Sequence, residues 1–250
     1  MNVFIITGTS RGIGEALAAQ LMGDDSHHVC CISRAVNENL INLARDNNKR
    51  LSYHSFDLNH ITAIDDLFAE LMGTIQQLPG INAICLINNA GMLSPIAPIE
   101  QINAADIVEN VTVNLLAPMA MTSSFIRHTL ALPVDKRIMN ISSASAKYLL
   151  PSQSCYSTSK AALDSFTKSV CLEQMNNPNP VKVVSVYPGM VDTQMQTEIR
   201  SISRETFSFV DQFIQIAEQD HLQTPAYTAG KLIDILLSPD YGHTAVIEEL

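Results

Sequence analysis

Tyr156 and Lys160 stand four residues apart in Cys155-Tyr156-Ser157-Thr158-Ser159-Lys160, a spacing that sets a phenol and an ammonium on one helix face. A free phenol, with a pKa of about 10, releases and retakes its proton poorly at neutral pH, and a neighbouring cation lowers that pKa by favouring the phenolate. The pair suits proton transfer to or from a substrate oxygen, in either direction. By itself Y-x-x-x-K is a weak signal, and a surface pair with no role is the plain alternative. Ser157 and Lys160 also spell S-x-x-K, but the S-D-N and K-T-G segments that accompany it in serine acyltransferases are absent.

A second constellation opens the chain. Thr7-Gly8-Thr9-Ser10-Arg11-Gly12-Ile13-Gly14 joins an apolar run to a helical one. Glycines there permit a tight turn and close backbone approach, and the following helix offers free N–H groups to a phosphate. The spacing is Gly-x-x-x-Gly-x-Gly, so a dinucleotide cradle is one reading and a ligand-free turn the other. The same residues contain G-x-S-x-G, the nucleophile elbow of hydrolases, but only one strand precedes Ser10, whereas an elbow is presented from within a sheet already begun. The second strand ends in Ser33-Arg34, where an acid would bind a free ribose 2′-hydroxyl and repel a 2′-phosphate. Arg34, with Arg11 in the turn, favours NADP(H), because guanidinium pairs with phosphate oxygens in two-pronged fashion.

The elements that would position these groups alternate along the chain. Apolar runs predict strands at Val3–Thr7, His28–Ser33, Leu51–Phe56, Ala83–Asn88, Arg137–Ser142, Lys182–Tyr187 and a short Thr244–Glu248. Helical periodicity predicts Gly12–Met22, Glu38–Asn47, Ile61–Gln76, Ala104–Leu130, Cys155–Met175 and Ala226–Leu237. Pro79-Gly80, Pro178, Pro180 and Pro188-Gly189 punctuate them. The pattern predicts an α/β fold of Rossmann type: a doubly wound, seven-stranded parallel sheet with helices on both faces, carried by one domain over residues 1–250. Met190–Thr224 holds no strand and reads as a small cap over the strand ends, where ligands bind in such sheets.

Taken together, these segments resemble the short-chain dehydrogenase/reductase family over nearly the whole chain and in the family's order. The resemblance implies that Gly8, Ser10, Arg11, Gly12, Ile13 and Gly14 form the cofactor turn, with Arg34 beside it. It implies that Asp57-Leu58 contacts the adenine and that Asn88-Asn89-Ala90-Gly91 lines the cofactor after the fourth strand. Pro188, Gly189, Val191 and Thr193 would hold the nicotinamide carboxamide. Asn114, Ser143, Tyr156 and Lys160 fall where the family keeps its catalytic set; Ser143, thirteen positions before Tyr156, is preferred over Ser142, which is then structural. In that scheme Tyr156 protonates a carbonyl oxygen as hydride arrives on its carbon. Ser143 stabilises the oxygen, Lys160 binds the nicotinamide ribose and lowers the Tyr156 pKa, and Asn114 holds a relay water.

Within the family, the segments 114–118, 134–143 and 188–196 resemble sepiapterin and benzil reductases, which implies a vicinal or aromatic diketone as substrate. The chain ends Ile247-Glu248-Glu249-Leu250, without the C-terminal aspartate that anchors a pterin in animal sepiapterin reductases, so the diketone is preferred. A pterin side-chain ketone and a 3-oxoacyl thioester are the other substrates weighed. The resemblance also implies a homodimer or homotetramer, with the 104–130 and Tyr156 helices at the interface and Met119, Met121, Phe125 and Leu130 as core or subunit face.

Composition bounds the rest. A net charge of -10 argues against a nucleic-acid or anionic-membrane surface, and small molecules are the expected partners. With 46% hydrophobic residues the chain is too apolar for disorder, yet no run is long enough to span a bilayer. Five cysteines without a C-x-x-C pair imply no disulfide framework, and the cytoplasm is the expected compartment. The seven histidines show no metal-ligand spacing. A nucleotide sensor that does not turn over is the rival from another class, but a sensor needs no proton donor.

Overall fold

The structure, a computed structural model, describes residues 1–250. The strands are β1 (Asn2–Thr7), β2 (His27–Ser33), β3 (Leu51–Ser55), β4 (Ala83–Asn88), β5 (Asp135–Ile141), β6 (Val181–Val186) and β7 (Val246–Ile247). The helices are α1 (Gly12–Leu21), α2 (Glu38–Asp46), α3 (Ile64–Ile75), α4 (Ala104–Val111), α5 (Ala117–Thr129), α6 (Ser154–Gln174), α7 (Gln194–Arg200), α8 (Val210–Glu218) and α9 (Pro225–Leu237).

All seven strands pair in parallel, in the order β3-β2-β1-β4-β5-β6-β7. Because side chains alternate along a strand, each central strand feeds two cores. Val3, Ile5, Ile32, Ile84 and Leu86 pack with Phe68 of α3 and Phe125 of α5. Phe4, Ile6, Cys31, Cys85 and Ile87 pack on the other side with Leu17 and Leu21 of α1 and Leu232 and Leu236 of α9. The chain winds from β1 outward to β3, then crosses to β4 on the other side of β1. That reversal opens a crevice above the carboxyl ends of β1 and β4, where the loops diverge.

Two expectations are corrected. The helix expected over Ala104–Leu130 is divided: Thr112–Leu116, between α4 and α5, is π-helical. Pro118 supplies the reason, since it has no N–H to return to the carbonyl of Asn114 and its ring crowds that carbonyl. The last strand shrinks from Thr244–Glu248 to Val246–Ile247. The predicted cap does lack a strand, but it contains α7 and α8, which pack on each other through Ile199, Phe207 and Val210. Its two ends are stitched together: Gln223 donates its N–H to Met190 O at 2.9 Å, and Gln223 O accepts from Asp192 N at 2.8 Å.

Met121 and Phe125 belong to the core, whereas Leu130 is exposed. All five cysteines are free thiols, and burial pushes Cys30, Cys31 and Cys85 up to about 12. No helix is long and apolar enough to cross a membrane.

Candidate active site

A cleft of about 640 Å³ lies over the carboxyl ends of the strands, between the glycine turn and the cap. Its floor at one end is the turn after β1. Gly8 has φ +74° and Gly12 φ +62°, the left-handed region that glycine enters without strain. A Cβ on Gly8 would sit 2.8 Å from Ala90 Cα, and one on Gly14 2.3 Å from Gly8 O, so both positions must lack a side chain for turn, helix and β4 to meet. Asn89 locks the same junction: its Nδ2 donates to Thr7 O at 2.9 Å, and its N–H donates to Thr7 Oγ1 at 3.0 Å. No side chain caps the first turn of α1, so its N–H groups remain available to an anion.

Arg11 and Arg34 both line this end and are exposed. Ser33 is otherwise engaged: its hydroxyl donates to Ala35 O at 2.8 Å and lies 2.5 Å from the Tyr53 hydroxyl. The positive character of this corner therefore rests on the two arginines. Asp57 is held in an Asx turn, its Oδ1 accepting from Asn59 N at 3.0 Å, and Leu58 completes the wall.

At the other end stands Tyr156, on the first turn of α6 and only 7% exposed. Its ring packs with Leu93 and Ile96 and with Ile199, Phe207 and Val210 of the cap, so the small apolar core that holds the cap also fixes the phenol. Burial pushes the Tyr156 pKa up, and the Ser143 hydroxyl, which accepts from Ser145 N at 3.1 Å, opposes that rise. Lys160, one turn later, lies over the ring at 5.7 Å from its centroid and donates to Ile141 O at 2.8 Å. Desolvation brings the Lys160 pKa down from its usual 10.5 to about 8, against an opposing pull from Asp164. Desolvation is the larger influence on the phenol, and Ser143 opposes it.

Asn114 lies in the π-helical stretch and is fully buried. Its Oδ1 accepts from Met92 N at 2.9 Å, and its Nδ2 donates to Met92 O at 2.8 Å and to Asn110 Oδ1 at 3.2 Å. Both amide hydrogens are used, which leaves one lone pair of Oδ1 for a further donor. A Cβ on Gly91 would come within 3.2 Å of that oxygen and 3.5 Å of Lys160 Nζ, so Asn114, Gly91 and Lys160 converge on one point. Ser142 donates to Lys160 O at 3.3 Å, which ties β5 to α6, and it lines the cleft, as Ser143 does not.

Most of the predicted site residues share the cleft wall: Gly8, Ser10, Arg11, Gly12, Ile13, Arg34, Asp57, Leu58, Asn89, Ala90, Gly91, Tyr156, Lys160, Pro188 and Thr193. Asn114, Ser143, Gly14, Gly189 and Val191 do not line it. Gly14 spaces helix from turn. Gly189 makes a bend at φ +76°, and Val191 is buried and bridges to Gln223. Thr193, which caps the start of α7, would meet a Cβ on Gly12 at 3.4 Å, so the cap begins against the glycine turn.

Sequence reasoning missed two sets of residues. One is a buried cluster behind the lysine: Asp164 accepts from Ser185 Oγ at 2.5 Å and from the Tyr187 hydroxyl at 2.7 Å. The four-residue step from Lys160 to Asp164 was a signal; the strand hydroxyls were not. The other lines the cleft beside Tyr156 and consists of Met92, Val113 and Met195 with Glu109 and Glu198.

Known proteins bear on this geometry. The family described as short chain dehydrogenase matches residues 2–203. Benzil reductase ((S)-benzoin forming) from Bacillus cereus is 40% identical over 247 residues, covering 99% of this chain and 98% of that one. Among solved structures, the KRED1-Pglu enzyme superposes with a TM-score of 0.83 at 24% identity, with all of both chains covered. A metagenomic short-chain oxidoreductase in complex with NADP gives a TM-score of 0.74 at 24% identity, with coverage of 99% and 96%.

Proposed function

The chain belongs to the short-chain dehydrogenase family of oxidoreductases, and we propose that it is an NADPH-dependent carbonyl reductase whose substrate is a vicinal or aromatic diketone. The observation that carries the reading is the pairing of Tyr156 with Lys160 in the wall of a cleft that also holds a glycine turn and two arginines in no ion pair, with Ser143 acting on the phenol from outside that wall. The fit to a dinucleotide rests on the shape of that turn, which Gly8 and Gly14 allow to pack closely against Ala90 and its own backbone, and on the uncapped first turn of α1 beside it. The full-length likeness to a benzil reductase and the solved NADP complex support the choice of substrate and cofactor.

A reduced nicotinamide, when bound, supplies the hydride. The protein supplies the rest. Gly8 to Gly14 and the open first turn of α1 receive the pyrophosphate, Arg11 and Arg34 the 2′-phosphate, and Asp57 and Leu58 the adenine. Pro188, Gly189, Val191 and Thr193 shape the nicotinamide end. Tyr156 donates its phenolic proton to the carbonyl oxygen while Ser143 hydrogen-bonds that oxygen and stabilises the charge growing on it. Lys160 stands as the neighbouring cation, and Asn114 offers its remaining lone pair to a relay water. Because burial raises the Tyr156 pKa, the phenol holds its proton through neutral pH, which suits the reductive direction. The same domain carries cofactor and substrate sites, and the assembly read from the family is a homodimer or homotetramer.

The test is consumption of NADPH, with NADH in parallel, against benzil, a 1,2-alkanedione, a 3-oxoacyl thioester and sepiapterin. The reading expects benzil to be reduced with NADPH preferred. Arg34→Ala combined with Arg11→Ala should weaken NADPH binding by at least about a hundred-fold and NADH binding little, since each charge-assisted bond contributes about 1.5–3 kcal/mol. No reduction of any carbonyl compound, with NADPH bound, would leave the sensor as the better account.

A further inference from the structure

We propose that the substrate end of the cleft selects by charge, admitting uncharged carbonyl compounds and turning away anionic ones through Glu109 and Glu198; this rests on the reductase reading above. The cleft is polarised along its length. Of its three cations, Arg11 and Arg34 sit at the glycine turn and after β2, beside the place for the dinucleotide phosphates, and Lys160 sits under the phenol with its ammonium on Ile141 O. The wall that α4 and α7 contribute has another character, and Met195 packs with the apolar cluster around Tyr156. Met92, Val113 and Met195 offer apolar surface, the thioethers adapting to a flat ring.

Every charge contributed by α4 and α7 to this wall is a carboxylate. Glu109 comes from α4, one turn before Val113, and Glu198 from α7, three residues after Met195 on the same helix face. Both are partly buried, so each acts across a space with less water than an open surface. The neighbouring arginines are committed elsewhere: Arg200 stands 3.9 Å from Asp192, and Arg204 pairs with Asp211 at 2.8 Å. Lys160 is buried behind the phenol with its ammonium on Ile141 O. A carboxylate or phosphate on the substrate would thus meet two acidic side chains and no free cation. Such rejection by like charge is how a site discriminates without adding a single favourable contact. The class excluded contains 2-oxo acids and phosphopantetheine-borne thioesters; the class admitted is the neutral aryl dicarbonyl.

The experiment compares 4-carboxybenzil with 4-carbamoylbenzil, which match in size and differ by one charge, using the protein with NADPH. The expected ratio of kcat/KM, carboxy over carbamoyl, is about 0.1 or less at low salt, rising toward one as salt screens the acids. In Glu109→Gln/Glu198→Gln the same ratio should rise at least about ten-fold. A ratio near one in the wild-type protein overturns the inference, as does a low ratio that neither salt nor the double substitution moves. The salt series stands on its own if the double variant does not fold. Failure to reduce benzil at all overturns the reductase reading and this inference with it, whereas equal turnover of the two derivatives overturns only the inference.

Discussion

Lys160 shows at the scale of one residue how a site is maintained against stability. Its ammonium is buried with one carbonyl as a hydrogen-bond partner, and desolvation holds its pKa at about 8 against 10.5 in the open chain. The folded state therefore binds fewer protons than the unfolded state between those pH values, and stability rises with pH across that window. Below about pH 8 the full penalty applies, about 3 kcal/mol. Lys160→Met keeps the length of the side chain and removes the charge. It should raise stability at pH 7 by up to about 3 kcal/mol in urea unfolding, the advantage shrinking as pH climbs through 8 toward 10.5, while carbonyl reduction is lost. A variant less stable than wild type at pH 7 would show that the ammonium is better solvated than its surroundings imply.

The elements hold the site through contacts that join distant parts of the chain, and that explains what the sequence revealed and what it hid. The alternation of strands and helices, the glycine turn and the Tyr156–Lys160 step are local in sequence, so periodicity and spacing made them readable. The π-helical stretch was hidden because helical periodicity averages over it, although Pro118 carried the physical reason. The Asp164 cluster was hidden because its partners lie on β6 and just beyond it, and nothing local pairs Ser185 and Tyr187 with a helix twenty residues earlier. That cluster docks α6 onto the strand leading to Pro188. Asp164→Ala leaves two buried hydroxyls without an acceptor, and thermal unfolding should register a loss of about 2–5 kcal/mol. Asp164→Asn, which keeps an acceptor, should lose less. Equal losses would mean that the carboxylate fills space and little more. Gly14→Ala tests the other junction: its Cβ would lie 2.3 Å from Gly8 O, so NADPH binding should be abolished or the fold lost.

As a whole molecule the chain is acidic, with a net charge of -10, yet it is read as binding a polyanion. The solution is local: Arg11 and Arg34, in no ion pair, line the corner where the phosphates would lie, while Arg45, Arg127, Arg137, Arg200 and Arg204 stand beside acids elsewhere. The outer surface is also uneven. Val108 on α4 and Leu172 on α6, with Met175 just past its end, are each more than 60% exposed, and α4 and α6 lie side by side. They are exposed apolar side chains on the helices that the proposed homodimer would bury. Sedimentation should show a dimer that Leu172→Glu with Met175→Glu dissociates; a monomeric wild-type chain would remove assembly from the account.

The central claim is that the phenol of residue 156 hands its proton to a carbonyl oxygen. Tyr156→Phe removes that hydroxyl and leaves the ring in its apolar seat. With NADPH binding followed by fluorescence and benzil reduction by loss of the reduced cofactor, the account predicts unchanged NADPH affinity and a kcat lowered by roughly 10²- to 10⁴-fold. Turnover within a few-fold of wild type, with the cofactor bound as before, would contradict it.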